Sequence, residues 1–417
     1  MGDLLRSVVF LSCFAVVVLT EPPCIFELEC PECVPDNMPL VTSHRAANGS
    51  VAAASGDEVV LACHGGKFLQ YPMDELIIAV CEGGRLRVRQ DGARRHVLEL
   101  GCQESVFEDV LHPVENCGPP LQGRAYQFQY LHAHTTGHLA TLCFDQDRAI
   151  AVRSHACNGK SNLLTMPAHN EQNRSPLSLL GNFNQMFDTK NRNDAEKLYG
   201  DDVSLNKRLQ ELLKHERYTF ADQVLTSGKL LSGHYFDDQN ARVTEFVSNK
   251  LAVWKSVATG NLKNIHKDVA KIMHMTRSHT VLDIYAGTHG VLSLRTGHNH
   301  TDVYLKPGQR FPVPKYIWTV VHDKKNHKAA AIVLVNDPFV AVSEIRETLF
   351  CESACSRISW LHELRRNHNY ETPVYGLVFC CNVHDFTNVV NEMPKNVFKN
   401  VHASNDGLLT NFNFLEV

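Results

Sequence analysis

The chain has 417 residues, of which 44% are hydrophobic and 21% charged, and its formal net charge is −4 at pH 7. A chain of this length can bury more than one hydrophobic core, so two or three domains are expected. The charge excludes a protein that attracts polyanions through an overall basic excess, because any such attraction has to come from a local patch.

The N-terminus has the pattern of a secretory signal peptide, predicted for residues 1–20. Arg6 precedes an apolar run from Val8 to Leu19, which has the length of a signal core and is too short for a typical membrane span. No other run is long enough to cross a bilayer, so a secreted, extracellular protein without membrane contact is expected.

The cysteines agree with an oxidising compartment. Removal of Cys13 with the signal peptide leaves 13 of the 14 cysteines. An odd number predicts a disulfide framework with either one unpaired thiol or a bridge between chains, so an oligomer through the odd cysteine is an open alternative.

Residues 21–115 are predicted to form a small β-rich domain. Four runs, EVVLAC, LIIAVC, RLRVRQ and HVLELGC, are strand-like, and turns that contain glycine separate them. Cys63, Cys81 and Cys102 are expected to staple this domain through disulfides, with partners that the spacing does not assign. Residues 116–417 are predicted to form a second domain, to which residues 124–145 contribute strands.

The segment 225–266 combines a glycine-centred tetrapeptide at 226–229 with an extended stretch that ends at Trp254. Gly260 and Asn261 then start a predicted amphipathic helix, in which one face is apolar and another is basic at about 100° per residue. The apolar face carries Leu262, Ile265, Val269, Ile272 and Met273, and the basic face carries Lys263, Lys267, Lys271 and His274.

Three runs rich in β-branched and aromatic residues follow the helix and are predicted to be buried strands. They are LDIYAGTHGV at 282–291, PVPKYIWTVV at 312–321 and AAAIVLVNDP, which ends at Pro338. A cysteine-bearing tail comes next, with Cys351, Cys355, Trp360, Cys380 and Cys381.

In this order, these motifs resemble those of the secreted DNA/RNA non-specific endonucleases of the ββα-metal nuclease superfamily, in particular the insect salivary and gut branch. The similarity covers most of the chain after the signal peptide. It implies an α+β fold, in which a ββα-metal nuclease-like domain with mixed or antiparallel sheets and flanking helices follows the small disulfide-stapled β domain. It also implies Mg²⁺ as the family's cofactor.

The residues that perform the family's chemistry are replaced in this sequence. The family's tetrapeptide is Asp-Arg-Gly-His or Ala-Arg-Gly-His, with the histidine as general base. Here Ser227 stands at the arginine and Lys229 at the histidine. The family's Mg²⁺-binding asparagine and its later acidic residue correspond to Ala258 and His266.

These replacements disfavour hydrolysis on physical grounds. A lysine, with a pKa of about 10.4, is mostly protonated near neutral pH and is a poor base. Mg²⁺ prefers oxygen ligands, so Ala258 removes the protein's inner-sphere anchor, and weak or no Mg²⁺ binding is expected. Lys229 nevertheless adds a positive charge where a phosphate would lie.

A second register is open, because Ser232, Gly233 and His234 also match part of the tetrapeptide. With His234 as the base, the separation from Ala258 shrinks from 29 to 24 residues, which fits the family's longer spacing poorly. The plain interpretation of His234 is a surface histidine.

The first expected function is a secreted protein that binds DNA and RNA without sequence preference, through phosphate-backbone contacts, with absent or residual nuclease activity. The resemblance to the salivary nucleic-acid-binding proteins of tsetse flies points the same way. The expected binding residues are Lys229, Lys255, Lys263, Lys267 and Lys271.

Other interpretations stay open. One is a working metal-dependent endonuclease whose site is rebuilt around His234 or His266, with Asp237 or Asp238. Another is an interaction protein that no longer contacts nucleic acid, for which the basic helix face would be a solvated surface.

Overall fold

The structure of the chain is a computed structural model. The structure describes residues 21–27, 37–41, 43–44, 46–47, 50–63, 67–103, 111–117, 123–132, 135–157, 189–212, 224–236, 244, 247–277, 279–296, 298–366 and 369–412. The expected signal peptide and the two carboxylates Asp237 and Asp238 lie outside these residues.

Two small antiparallel sheets lie in the N-terminal part. Their strands are β1 (Cys24–Glu27), β2 (Leu40–Val41), β3 (Ala46–Ala47), β4 (Ser50–Ala53), β5 (Glu58–Ala62), β6 (Leu76–Glu82), β7 (Arg85–Val88) and β8 (Arg94–Arg95). The strand orders are β1-β4-β3 and β2-β5-β6-β7-β8. Their inward side chains form a hydrophobic cluster of their own. The disulfides Cys24–Cys81 and Cys63–Cys102 join elements of this cluster and supply the pairings that spacing left open.

Three of the four predicted strands in this part are confirmed, and the fourth is wrong. The run HVLELGC contains a 3-10 turn at Val97–Glu99 instead of a strand. The side chain of His96 accepts a hydrogen bond from the backbone N–H of Leu98 and caps the turn. A local side-chain cap of this kind competes with strand pairing, which an apolar run alone does not reveal.

An eight-stranded antiparallel sheet forms the centre of the rest of the chain, in the order β22-β21-β20-β15-β12-β11-β10-β9. Its members are β9 (Leu111–Asn116), β10 (Arg124–His132), β11 (Thr135–Asp145), β12 (Ile150–Cys157), β15 (Leu282–Val291), β20 (Pro314–Asp323), β21 (Lys328–Val335) and β22 (Val378–Cys381). Because β9 belongs to this sheet, the sheet begins a few residues before the predicted boundary at 115. The division into two domains stays a prediction.

The central strands of this sheet are buried on both faces. Ile284 and Ile332 point into one hydrophobic cluster, and Trp318 and Val333 point into another on the opposite side. Double-sided burial explains why these strands show nearly continuous apolar runs without alternation. The three strands predicted after the helix are confirmed.

Two antiparallel strands followed by a helix pack against one side of the sheet. Helices α1 (Thr189–Gly200) and α2 (Asp202–Leu212) precede β13 (Leu225–Lys229) and β14 (Lys250–Trp254). The chain then forms a short turn, α3 (Lys255–Val257), a π-helical segment at Ala258–Leu262, and α4 (Lys263–Thr276). Helical structure therefore starts five residues before the predicted Gly260. Gly260 instead breaks the helix, with φ −90° and ψ −117°.

Shorter elements complete the fold. They are β16 (Ser293–Thr296), β17 (Asn299–Asp302), β18 (Tyr304–Lys306), β19 (Arg310–Pro312), α5 (Ile345–Thr348), α6 (His362–Arg365) and α7 (Val383–Val389). Further 3-10 turns lie at Gly233–Tyr235, Val247–Asn249, Val342–Glu344, Cys355–Arg357, Asn369–Glu371, Pro373–Tyr375, Lys395–Phe398 and Asn405–Gly407. The chain is therefore a mixed α+β protein with mostly antiparallel sheets and few helices, as predicted at that level.

Further disulfides join Cys117 to Cys143, Cys351 to Cys381 and Cys355 to Cys380. The two pairs in the tail link the segment before α6 to β22. Within the described ranges, Cys157 is the free cysteine and is partly exposed. None of the helices in these ranges is long and apolar enough to span a membrane.

Candidate nucleic-acid interface

The tetrapeptide singled out in the sequence lies on β13, at the open end of a strand pair. Lys229 is directly opposite Lys250 on β14, and Ser227 is opposite Ala252. Gly228 is buried, and a β-carbon added to it would lie 3.3 Å from Cβ of Val253. The pairing therefore presents two lysines side by side on neighbouring strands.

The strand pair is held in place by the buried side chain of Asn336. Its Oδ1 accepts a hydrogen bond from the N–H of Trp254 at 3.1 Å, and its Nδ2 donates to the carbonyls of Ala252 at 3.2 Å and Pro314 at 3.0 Å. Pro314 begins β20, so one amide joins β14 to the central sheet. Asn336 is the asparagine in the Val-Asn-Asp-Pro ending of the run predicted as the third buried strand.

A second buried asparagine closes the loop between the strands. Asn249 accepts a hydrogen bond from the N–H of Leu231 and donates to the carbonyls of Leu231 and Thr244, with donor–acceptor distances of 2.8–2.9 Å. It therefore fixes the chain at Leu231, two residues after Lys229.

Helix α4 is orientated by its apolar face and by Asp268. All five residues of the predicted apolar face are buried. The carboxylate of Asp268 accepts hydrogen bonds from the backbone N–H groups of Glu363 and Leu364, both at 2.9 Å, at the start of α6. Burial raises the pKa of Asp268, although these two bonds act the other way. The four residues of the predicted basic face, in contrast, are exposed.

His266 lies beneath Lys229 and His234. Burial lowers the pKa of His266 to about 4, and the charges of Lys229 and His234 lower it further, while a hydrogen bond to the backbone of Leu230 opposes them. Its Nε2 is buried and has no hydrogen-bond partner among the described residues. The ring of Tyr235 meets it edge-on, with ring centres 5.8 Å apart. His266 is therefore a neutral imidazole at neutral pH, partly buried as a residue but with its Nε2 inaccessible.

His234 is exposed and belongs to the 3-10 turn Gly233–Tyr235. Its carbonyl oxygen lies 3.0 Å from Nε2 of His274, which ties the turn to the far end of α4. Asp237 and Asp238, the carboxylates considered for a rebuilt site, lie outside the described residues. The structure thus brings together Lys229, His234 and His266, which the sequence placed on separate elements.

The donors at the family's metal position do not fit Mg²⁺. Ala258 is partly buried and packs its methyl group against the main hydrophobic cluster. The imidazole at 266 has the ammonium of Lys229 as a neighbour, which repels a cation. In the parts of the chain that the structure covers, no three His, Cys, Asp or Glu residues form a group that could hold a metal ion.

A polar cleft of about 460 Å³ opens beside the helix break. Lys255, one of the predicted binding residues, lies on its rim, whereas Lys263, Lys267 and Lys271 lie along the exposed face of α4. The other lining residues are Ser256, Thr259, Gly260, Asn261, Asn264, Asn369 and Tyr375. Sequence reasoning missed Asn369 and Tyr375, because both come from turns more than a hundred residues beyond Gly260 and carry no motif.

Comparison with known proteins finds a limited similarity. No family model matches the chain. The chain is similar to Salivary protein Tsal1 of the tsetse fly Glossina morsitans morsitans, with 23% identity over 154 residues, which covers 36% of this chain and 36% of the relative. The chain therefore matches about a third of that relative's length. The expected similarity to the tsetse salivary proteins is confirmed to this extent.

The chain also aligns with a chain in a solved crystal structure of the EndoG/EndoGI complex, which concerns the mechanism of EndoG inhibition. The alignment covers 53% of this chain and 77% of the other, with 11% sequence identity and a TM-score of 0.28. A likeness at that TM-score supports no statement about this protein's fold or function.

Proposed function

We propose that this chain is a secreted protein that binds DNA and RNA through their phosphate backbones, without sequence preference. The scaffold is that of a ββα-metal nuclease, and nuclease activity is absent or residual. The order of two antiparallel strands, a helix break and an amphipathic helix supports this scaffold, because it matches the motif order of that superfamily.

The observation that carries the proposal is the charge of one continuous stretch of the chain. Between residues 250 and 277 the sequence has six lysines and arginines and one acidic residue, although the whole chain has a net charge of −4. That acidic residue, Asp268, is fully buried. No acidic side chain of this stretch therefore offsets its basic side chains at the surface.

The lysines of α4 are also spaced for a linear polyanion. Lys263, Lys267 and Lys271 recur every four residues, or about every 6 Å along the helix axis. All three are exposed, and none forms an ion pair with a described residue. A protein that displaces counterions with such a row gains affinity from salt release, whatever the base sequence.

The geometry at 229, 258 and 266 favours binding over hydrolysis. Lys229 supplies a charge for phosphate but is a poor proton acceptor at neutral pH. The side chain of Ala258 offers no oxygen to a metal ion. The replacements at 227, 229, 258 and 266 remove the arginine, the base, the metal anchor and the acidic partner that the resemblance implies, whereas none of them removes the basic face of α4.

Secretion is supported by two observations. The relative that matches the chain is named a salivary protein, and five disulfides lie among the described residues. Disulfides persist in oxidising compartments and are rare in the cytosol. Both observations favour a secreted protein.

A second candidate, a metal-dependent endonuclease with a rebuilt site, rests on His266. Its lowered pKa of about 4 keeps the imidazole unprotonated at neutral pH, as a general base requires. Against this, Nε2 of His266 is buried, where an attacking water would need an open path.

One preparation of the disulfide-intact protein separates the candidates. Binding to duplex DNA and to RNA is measured by fluorescence anisotropy across a salt series, and plasmid cleavage is measured with Mg²⁺ and with EDTA. Salt-sensitive binding without EDTA-inhibited cleavage supports the proposed function. Robust Mg²⁺-dependent turnover that His266→Gln abolishes would establish the second candidate instead.

A further inference from the structure

We propose that the cleft beside Gly260, which we call the Tyr375 cleft, is a subsite for an unpaired nucleobase. Its ligand class is single-stranded nucleic acid or a locally melted strand, with one base stacked on Tyr375 and the neighbouring phosphate on Lys255. This inference rests on the proposed function. It adds a preference for single strands over duplexes, which the row of lysines on α4 cannot supply.

The Tyr375 ring is exposed and makes no ring contact or side-chain hydrogen bond with the described residues. Its exposed fraction is 42%, and among the described residues it stacks on no other ring and its hydroxyl makes no hydrogen bond. The backbone beneath it is nevertheless fixed, since its N–H donates to Thr372 at 3.2 Å and the N–H of Gly376 donates to Pro373 at 2.8 Å. A rigid, accessible aromatic ring is what base-stacking surfaces require.

Gly260 makes this arrangement possible. A β-carbon at position 260 would lie 2.9 Å from the carbonyl oxygen of Tyr375 and 3.0 Å from its Cβ. The absence of a side chain thus lets the turn at 373–375 approach the helix break. Asn261, fully buried, locks the approach by donating to the carbonyls of Asn369 at 2.9 Å and Gly376 at 2.7 Å.

The remaining lining is polar and lacks acidic side chains. Asn264 makes one long hydrogen bond, of 3.4 Å from its Nδ2 to Asn261, and its side-chain oxygen accepts none in the described structure. Its amide can therefore both donate to and accept from a base edge. The volume of about 460 Å³ lies within the range of small-ligand pockets, about 300–1,000 Å³.

A paired base cannot use this subsite, because its faces are covered by its neighbours in the duplex. An unpaired base can stack whatever its identity, since every base has a π-face. The Tyr375 cleft therefore favours single strands without selecting a sequence, whereas the lysines of α4 contact phosphates on any strand.

The test compares two fluorescent oligonucleotides of equal length and charge, one of oligothymidylate and one of abasic sites, in anisotropy titrations at one salt concentration. The natural sequence should bind the base-bearing strand roughly tenfold more tightly, as expected from one stacked base. Tyr375→Ala should remove this difference and Tyr375→Phe should keep it. Val374→Ala, at the exposed neighbouring residue, is the matched control and should change nothing.

Equal affinity of the natural protein for both strands, with steep salt dependence, would overturn the subsite while leaving the proposed function intact. Failure to bind either strand would overturn both. Ultraviolet crosslinking tests the subsite without a variant. An oligonucleotide that contains 5-iodouracil should become covalently attached to Tyr375. Crosslinks confined to other aromatic residues would contradict the subsite.

Discussion

The ammonium group of Lys229 acts on the buried ring of His266 and lowers the pKa of that imidazole. Lys229 lies on β13 and His266 lies on α4, so the two elements share one electrostatic environment. Of the substituted positions in the tetrapeptide and the helix, these two are therefore coupled, and a change at one is measurable at the other.

Replacing Lys229 should raise the pKa of His266. In Lys229→Gln the repulsive charge is gone, so the pKa should rise above about 4 yet stay below the ordinary value of 6.5, because burial is the larger cause. An NMR titration of the imidazole resonances measures this shift. Lys325→Gln, at an exposed lysine beyond β20, serves as the control, and an unchanged His266 titration in Lys229→Gln would contradict the placement of these two residues.

Stability should fall in mild acid because of His266. Its pKa is about 4 in the folded chain against an ordinary value of 6.5, so between these values the unfolded chain binds a proton that the folded chain does not. The free energy of unfolding then falls as pH decreases through this window, by at most about 1.4 kcal/mol per pH unit for one proton, and the contribution of His266 to the slope fades as the pH rises above 6.5.

Denaturant unfolding of the disulfide-intact chain at several pH values checks this slope. His266→Leu should be less pH-dependent than the natural sequence between pH 6.5 and 4, whereas His402→Gln, at an exposed histidine, should keep the natural slope. Identical slopes in all three proteins would show that His266 is not enclosed.

The basic face of α4 should account for much of the salt dependence of binding. In the triple variant Lys263→Gln, Lys267→Gln, Lys271→Gln, the slope of log K against log salt should shrink by about 0.9 for each phosphate that is no longer neutralised, or nearly three in total. The matched control replaces three exposed lysines elsewhere, Lys207, Lys325 and Lys399, with glutamine. A similar reduction of the slope in both triple variants would indicate general charge attraction without a defined surface.

Restoring the family's residues should restore cleavage if the proposed register is right. The quadruple variant Ser227→Arg, Lys229→His, Ala258→Asn, His266→Glu should gain plasmid cleavage that requires Mg²⁺ and is blocked by EDTA. The same protein without Ala258→Asn should stay inactive, because the metal then lacks its oxygen anchor. Equal activity in the two variants would move the metal position away from 258.

Asn336 should be among the strongest single contributors to the stability of the strand pair. Asn336→Ala leaves the N–H of Trp254 and the carbonyls of Ala252 and Pro314 without their partner inside the protein. At about 1–3 kcal/mol for an unsatisfied buried group, a decrease of roughly 2–4 kcal/mol in the free energy of unfolding is expected. Chemical denaturation measures this decrease, with Asn400→Ala on the surface as the control. A decrease no larger than that of the control would contradict the role of the buried Asn336 amide in joining β14 to β20.

The strands and the helix of the candidate site follow from local sequence patterns. Alternation and apolar runs predicted β5 to β7, β15, β20 and β21. Burial on one face of a sheet gives alternating apolar residues, and burial on both faces gives a continuous apolar run. The faces of α4 were predicted for the same reason. The run at 96–102 was mispredicted because a histidine cap decided its conformation.

Only the tertiary structure decided what surrounds these elements. Three contacts depend on packing between segments that are far apart in the chain, beyond the range of any helical or strand repeat. Tyr375 lies against Gly260, Asp268 caps α6, and His266 lies near Lys229. Sequence periodicity reports which side of an element is buried, but not which neighbour buries it. The sequence determined which residues stand at the positions where the resemblance expects catalytic groups, and which lysines accompany them, and the packing decided that burial lowers the pKa of His266 and that a polar cleft of about 460 Å³ lies beside the helix break.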